Sequence, residues 1–133
     1  MAGHLIRRLQ QVSFHIFQQH MEEAGYNLTP VQFATMQALK SNPGIDQAQV
    51  AAMIAYDRAT IGGVIDRLEQ KNYVSRVVSR RDRRAREVSL SDEGLEVLNK
   101  VYPVVEALQK DILDKLSDAE REQLLALMKK ALA

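Results

Sequence analysis

The residues from Val74 to Leu90 constrain this chain more than any others. At each end of the run, apolar and polar side chains alternate with period two, the pattern of two half-buried strands. Within it stand Arg76, Arg80, Arg81, Arg83, Arg84 and Arg86, and Asp82 is the only acid from Arg76 to Arg86. A hairpin that concentrates guanidinium at its tip suits contact with a polyanion. A solvated charged turn is the bland alternative. The setting decides between them: a helical segment from Ala59 to Lys71 runs straight into the hairpin, and another short helix precedes it.

Those two helices are legible in detail. Gln47 to Ile54 has Val50, Ala51 and Ile54 on one side. Tyr56-Asp57 makes a turn, and Asp57 is the expected N-cap of the next helix. In that helix Ile61, Val64, Ile65 and Leu68 form the apolar stripe. Arg58, Thr60, Gly62, Gly63, Asp66, Arg67 and Gln70 are left outward. Helix, turn, helix and basic hairpin, in that order, describe a winged helix-turn-helix. The expected class is mainly α (α+β), in a single domain over residues 1–133 whose winged lobe spans 28–90.

Net charge is only +1, from 18 basic and 17 acidic residues, so the balance favours no partner. The distribution does. Basic charge gathers between Arg76 and Arg86, while Glu106, Asp111, Asp114, Asp118, Glu120 and Glu122 load the last third. A local basic patch on a near-neutral chain focuses attraction at one face. Absence of cysteine removes disulfides and thiolate metal sites. No apolar run reaches the roughly 20 residues of a membrane span, and the first residues lack a signal-peptide core, so a cytoplasmic protein is expected. No phosphate-cradling loop, nucleophile elbow or metal motif points to an enzyme or a cofactor. An RNA binder would expose stacking aromatics, and none lies in the hairpin.

The flanks are helical too. From 4 to 24, Leu5, Leu9, Val12, Ile16 and His20 share a face, flanked by Ile6, Phe17 and Ala24, until Gly25. Thr29-Pro30-Val31-Gln32 is a capping box with proline at the first helical position. Phe33, Met36, Ala38 and Leu39 follow, up to the break at Asn42-Pro43-Gly44. Ser91-Asp92-Glu93 opens a long helix. In it Gly94, Leu98, Val101, Val105, Leu108 and Ile112 form a heptad-like seam with a kink expected at Pro103. Ser117-Asp118-Ala119-Glu120 caps a last helix with Leu124, Leu127, Met128 and Ala131 inward. Residues 1–24 and 91–133 hold more apolar surface than the central module can use. They are therefore expected to pair two copies across a two-fold axis.

The segments Asp57–Glu69, Asp82-Arg83-Arg84-Ala85, Val88–Gly94 and Leu28–Phe33 together resemble the MarR family of bacterial transcriptional regulators. The resemblance spans nearly the whole chain. It implies a homodimeric winged-helix repressor or activator on double-stranded, pseudo-palindromic DNA, often released by a small phenolic ligand. It further implies that Asp82 pairs with Arg84 and directs its guanidinium. Two departures stand out. Gly62 and Gly63 replace polar or basic recognition-helix residues, which removes base contacts and lets the backbone approach DNA. Asn72 replaces a usual glycine, and asparagine also tolerates a left-handed helix end.

On DNA, Arg58 is expected to reach guanine or phosphate, and Thr60 a thymine methyl or phosphate. Arg67, Gln47 and Gln49 are expected on phosphate. Arg84 is expected in the minor groove, with Arg83 on the flanking phosphate. For an effector, His4, Arg8 and His15 lie to one side of the first helix beside apolar residues. Arginine binds carboxylate bidentately. The opening His4-Leu5-Ile6-Arg7-Arg8 resembles family members tied to aromatic-acid breakdown, which implies an aromatic carboxylate or its thioester. Alternatively, Arg8 pairs with an acid across the dimer. A metal-responsive or ligand-independent DNA-binding protein is the other reading, although His4, His15 and His20 lack the spacing of a helical metal site.

Overall fold

The computed structural model describes residues 1–133. The chain runs α1 (Ala2–Ala24), α2 (Pro30–Ser41), β1 (Ile45–Asp46), α3 (Gln47–Met53), α4 (Arg58–Gln70), β2 (Val74–Val78), β3 (Arg86–Leu90), α5 (Asp92–Ile112) and α6 (Asp118–Leu132). This is a mainly helical winged helix-turn-helix with a small antiparallel sheet ordered β1-β3-β2. β2 and β3 form the hairpin, with Val74 opposite Leu90 and Val78 opposite Arg86. β1 adds Ile45 opposite Val88. Sequence patterning does not reveal β1, because two residues carry no alternation. No helix is long and apolar enough to cross a membrane.

Caps set the helix boundaries. Thr29 Oγ1 accepts from Gln32 N at 3.2 Å and Gln32 Oε1 accepts from Thr29 N at 3.2 Å, a reciprocal box with Pro30 behind it. Gly25 closes α1 in the left-handed region at φ 84°. Asn72 does the same after α4 at φ 63°. Ala55 also adopts positive φ, in the turn between α3 and α4, where no glycine signals it.

The core is shared by the winged lobe and α5. Met36 and Leu39 of α2, Val50 of α3, the α4 stripe, Val74 and Val88 of the sheet, and Leu98, Val101 and Leu108 of α5 are all buried. Phe17 and Met21 bring α1 onto the same core. Phe33 stands between Phe17, at 6.3 Å, and Tyr102, at 6.5 Å, linking α1, α2 and α5. α5 continues helically through Pro103. Its first turn presses on the α4–β2 turn: Ser91 Oγ donates to Asn72 O at 2.6 Å, and Ser91 N donates to Tyr73 O at 2.9 Å.

The terminal helices depart from expectation. In α1, Leu5 and Val12 are exposed and Leu9 and Ile16 only half-buried, while Phe17 and Met21 carry the burial. The face facing α5 is thus turned from the one the periodicity suggests. In α6 nothing is buried; Leu124 and Met128 are half-covered, and Leu127 and Ala131 are exposed. One chain supplies no second layer for these side chains. A groove of about 710 Å³ opens between α1, α5 and α6, with Ile6, Leu9, Ile112, Leu113, Leu125 and Met128 on its walls.

Of the six glycines, Gly94 has the closest backbone neighbour. A Cβ there would lie 2.1 Å from Tyr73 O, and that atom is backbone. Gly94→Ala is expected to destabilise the protein by about 1–3 kcal/mol, the cost of forced overpacking. Urea denaturation of the variant with an unchanged midpoint would contradict the contact.

Candidate nucleic-acid interface

The α4 stripe decides which residues face solvent. Ile61, Val64, Ile65 and Leu68 are buried. The opposite face carries Ala59, Gly63, Asp66 and Gln70, with Arg58, Thr60 and Arg67 beside it, all exposed. Asp57 begins the helix: its Oδ1 accepts from Thr60 N at 2.7 Å and its Oδ2 from Thr60 Oγ1 at 3.0 Å. The Thr60 hydroxyl proton is thus engaged, leaving its methyl and a lone pair outward. These two bonds from Thr60, backbone first, hold the Asp57 carboxyl below its usual range.

α3 sits behind α4 and starts in the same manner. Asp46 Oδ1 accepts from Gln49 N at 2.8 Å, and Gln49 Oε1 accepts from Asp46 N at 3.0 Å. The Gln49 carbonyl therefore closes a capping box, and only its NH2 group is free. Gln47 is engaged as well, its Oε1 accepting from Arg76 Nη1 at 3.3 Å. A Cβ on Gly62 would lie 3.1 Å from Gln47 Nε2, whereas Gly63 faces open space. Gly62 thus makes room for Gln47, and only Gly63 leaves the outer face bare.

The hairpin tip is organised by Ser79 and Asp82. Ser79 is buried, and its Oγ accepts from Arg81 N at 3.2 Å and Asp82 N at 3.3 Å. Ser79 N donates to Ala85 O at 3.0 Å, and Ala85 N to Asp82 O at 2.9 Å. Asp82 Oδ1 accepts from Arg84 N at 3.0 Å and from Arg84 Nε at 3.3 Å. The carboxylate aims the Arg84 side chain, which remains 92% exposed and free to reach a partner. Arg80, Arg81, Arg83 and Arg86 are exposed too. Sequence reasoning missed Ser79; a hydroxyl just ahead of a tight turn is the signal that marks it, and its role emerges once the loop closes on it.

Arg76 departs from the other five arginines. Its Nη2 donates to Asp66 Oδ1 and, at 3.1 Å, to Glu69 Oε1, and the side chain is only 18% exposed. It faces the protein rather than a polyanion. Burial works against its charge, but hydrogen bonds to Glu69 and Asp66 outweigh this and raise its pKa. Three of the remaining basic groups, Arg58, Arg84 and Arg86, converge, whereas Arg67, Arg80, Arg81 and Arg83 stand outside their cleft. A cleft of about 470 Å³ between wing and helix-turn-helix is lined by Asp46, Gln47, Ala48, Arg58, Asp82, Arg84, Ala85 and Arg86. The start of α4 and the wing tip therefore share one concavity, with three guanidinium groups against two carboxylates.

Comparison with known proteins agrees with this geometry. Residues 26–85 match the family model described as MarR family. The HTH-type transcriptional repressor NicR of Pseudomonas putida is 32% identical over 97% of this chain and 80% of its own length. The chain belongs to the MarR family. It is a DNA-binding transcriptional regulator. Among solved structures of MarR-type regulators, BpsR of Bordetella bronchiseptica, whose DNA binding is regulated by 6-hydroxynicotinic acid, superposes with a TM-score of 0.89. It is 30% identical, over 98% of this chain and 92% of BpsR. The transcriptional repressor CouR, bound to a 23-mer DNA duplex, superposes with a TM-score of 0.88 at 27% identity, over 100% of this chain and 93% of CouR.

In this MarR-family chain His4, Arg8 and His15 share one face of α1, but all are exposed and none lines a described cavity. His4 Nδ1 lies 3.4 Å from Arg7 Nη2. His20 lies 2.9 Å from Asp111 Oδ2, joining α1 to α5. No three His, Cys, Asp or Glu side chains gather as a metal site. A small cavity of about 80 Å³ lies between α1 and the α1–α2 loop, lined by Phe14, Phe17, Met21 and Tyr26 among others.

The Asp57 cap gives α4 a pH dependence. Its folded carboxyl is depressed below 3.8, so the stability it contributes is complete above that pH. It drains away as pH falls through the lower native value. Asp57→Asn keeps a capping acceptor without titrating. Below pH 3.8 the wild type should therefore lose thermal stability faster than Asp57→Asn, as followed by far-UV circular dichroism. Parallel curves would remove the cap from the acid transition.

Proposed function

We propose that this chain is a dimeric repressor that grips double-stranded DNA between α4 and the wing and releases it on binding an aromatic carboxylate or its thioester. The observation that carries the DNA mode is the shared cleft, where Arg58 opens the recognition helix and Arg84 and Arg86 close from the wing. α4 enters the major groove N-terminus first. Arg58 reads guanine or holds phosphate, and the Thr60 methyl meets thymine. Gly63 lets the backbone come close, and Arg67 takes phosphate. Gln47 and the free NH2 of Gln49 lie along the backbone path. Arg84, aimed by Asp82, enters the minor groove, with Arg83 on the flanking phosphate.

Residues 28–90 form the DNA-binding lobe, and 1–24 with 91–133 pair the two copies. The uncovered apolar groove between α1, α5 and α6 supports this assignment. A two-fold dimer sets its recognition helices about 34 Å apart on a pseudo-palindromic site. Such a protein works by binding, not catalysis, and in the cytoplasm with bacterial DNA. NicR is a repressor, and BpsR is regulated by an aromatic acid, which supports the same effector class here. Arg8 is the anchor for the ligand carboxylate, with His4 and His15 on its face of α1. None of the three lines the groove or the two cavities described above, so in this reading the partner copy covers that face and completes the pocket.

Fluorescence anisotropy on DNA flanking the chain's own gene tests the DNA mode. Arg84→Ala should weaken binding to all sequences and lower the slope of log K against log salt by about 1. Arg58→Ala should also relax preference at one base pair by about 1–3 kcal/mol. Wild-type binding no tighter than to random duplex would sink the proposal. For the effector, a panel of aromatic acids and thioesters should contain one that dissociates the complex. Arg8→Ala should abolish that response with DNA affinity unchanged; loss of both would make Arg8 a structural ion-pair residue.

A further inference from the structure

Arg76 occupies a place where the sheet would ordinarily bury an apolar side chain. It shares a face of β2 with buried Val74 and stands opposite Val88, which is fully buried. Its guanidinium ties β2 to two other elements: Gln47 at the start of α3, and Asp66 and Glu69 on α4. Asp66 and Glu69 are three apart on α4, so Nη2 alone donates to both, while Nη1 of the same planar group takes Gln47. Beyond Arg76 the strand has no apolar anchor, since Val77 and Val78 are 58% and 51% exposed. Gln47, the third partner, packs over Gly62, where a side chain would crowd it.

Two consequences follow from this geometry. The outer wing is held against α4 by a polar clamp rather than by packing. Without it, the part of the hairpin beyond Val88, the last buried apolar residue of the wing, would lose its tie to α4. Asp66 also lies on the outward half of α4, where a bare carboxylate would repel DNA, and Arg76 neutralises it. We propose that Arg76 is a positioning residue: it touches no DNA, and it sets the wing's angle to the recognition helix so that Arg84 and Arg58 engage the same duplex. This rests on the DNA-binding mode proposed above.

A double-mutant cycle on the full chain tests it, using Arg76→Met, Arg84→Ala and their combination, with affinity and salt slope measured on one DNA duplex. Arg84→Ala alone should cost about tenfold and lower the salt slope by about 1. Arg76→Met should lower affinity at least as much and lower the slope similarly. In the Arg76→Met background, Arg84→Ala should then cost less than about threefold, because the wing is already disengaged. Additive losses would overturn the proposal and leave Arg76 a merely stabilising residue. If Arg84→Ala alone changes nothing, the DNA mode fails first and the positioning role with it. Full affinity of wild type with an unchanged Arg76→Met would overturn the positioning role alone. If Arg76→Met does not fold, the Asp66→Asn, Glu69→Gln double variant opens the clamp from the other side. It should show the same reduced cost of Arg84→Ala even though removing acids favours DNA. Arg76→Lys keeps the charge without the fork and should restore the Arg84 dependence only in part.

Discussion

Burial of one face of α4 is the constraint on which the interface depends. Ile61, Val64, Ile65 and Leu68 insert into a core made by α2, α3, the sheet and α5. Each such side chain contributes about 1.5–3 kcal/mol when fully buried. Together they fix the rotation of the helix about its axis. With that rotation set, Arg58, Thr60, Gly63 and Arg67 can only face outward. The same core holds Val74 and Val88, so the base of the wing is anchored by the helix whose readout it complements.

Polar contacts add to the shared apolar core in relating the lobes to one another. Lys71, at the end of α4, donates to Asn27 O in the α1–α2 loop and, at 3.3 Å, to Gln32 Oε1 in the α2 capping box. Burial, and next the nearby Arg67, lower its pKa. Ser91 and Gly94 clamp the start of α5 to the same turn. A displacement of α1 or α5 would therefore reach the recognition helix through its C-terminal end. That is a mechanical route by which binding at the terminal helices would alter DNA affinity.

Local signals on the sequence were enough for much of this architecture. The Thr29, Asp57, Ser91 and Ser117 caps, the α4 stripe, the α5 seam and the hairpin are all built from interactions within a few residues, or from periodicity that one face must satisfy. Features that depend on a second element depart from the local pattern. The inward face of α1 is set by its packing on α5, which takes Phe17 and Met21 rather than the longer apolar stripe, and α6 buries no residue within one chain. β1 is too short for any pattern. Gln47, Gln49 and the Thr60 hydroxyl looked free along the chain and are bonded within the protein.

Arginine in the hairpin illustrates the division most clearly. The sequence by itself determined that a basic turn follows a helix-turn-helix, because strand alternation, capping residues and charge density are local properties. It could not separate Arg76 from Arg84. Both are arginines on one hairpin, and both have a carboxylate within reach. Only the tertiary structure decided that one is enclosed by Gln47, Asp66 and Glu69 while the other stands exposed at the tip. The physical reason is that a guanidinium's role depends on which carboxylates and how much water surround it. Those surroundings come from α3 and α4 meeting β2, a contact between segments that no stretch of sequence contains.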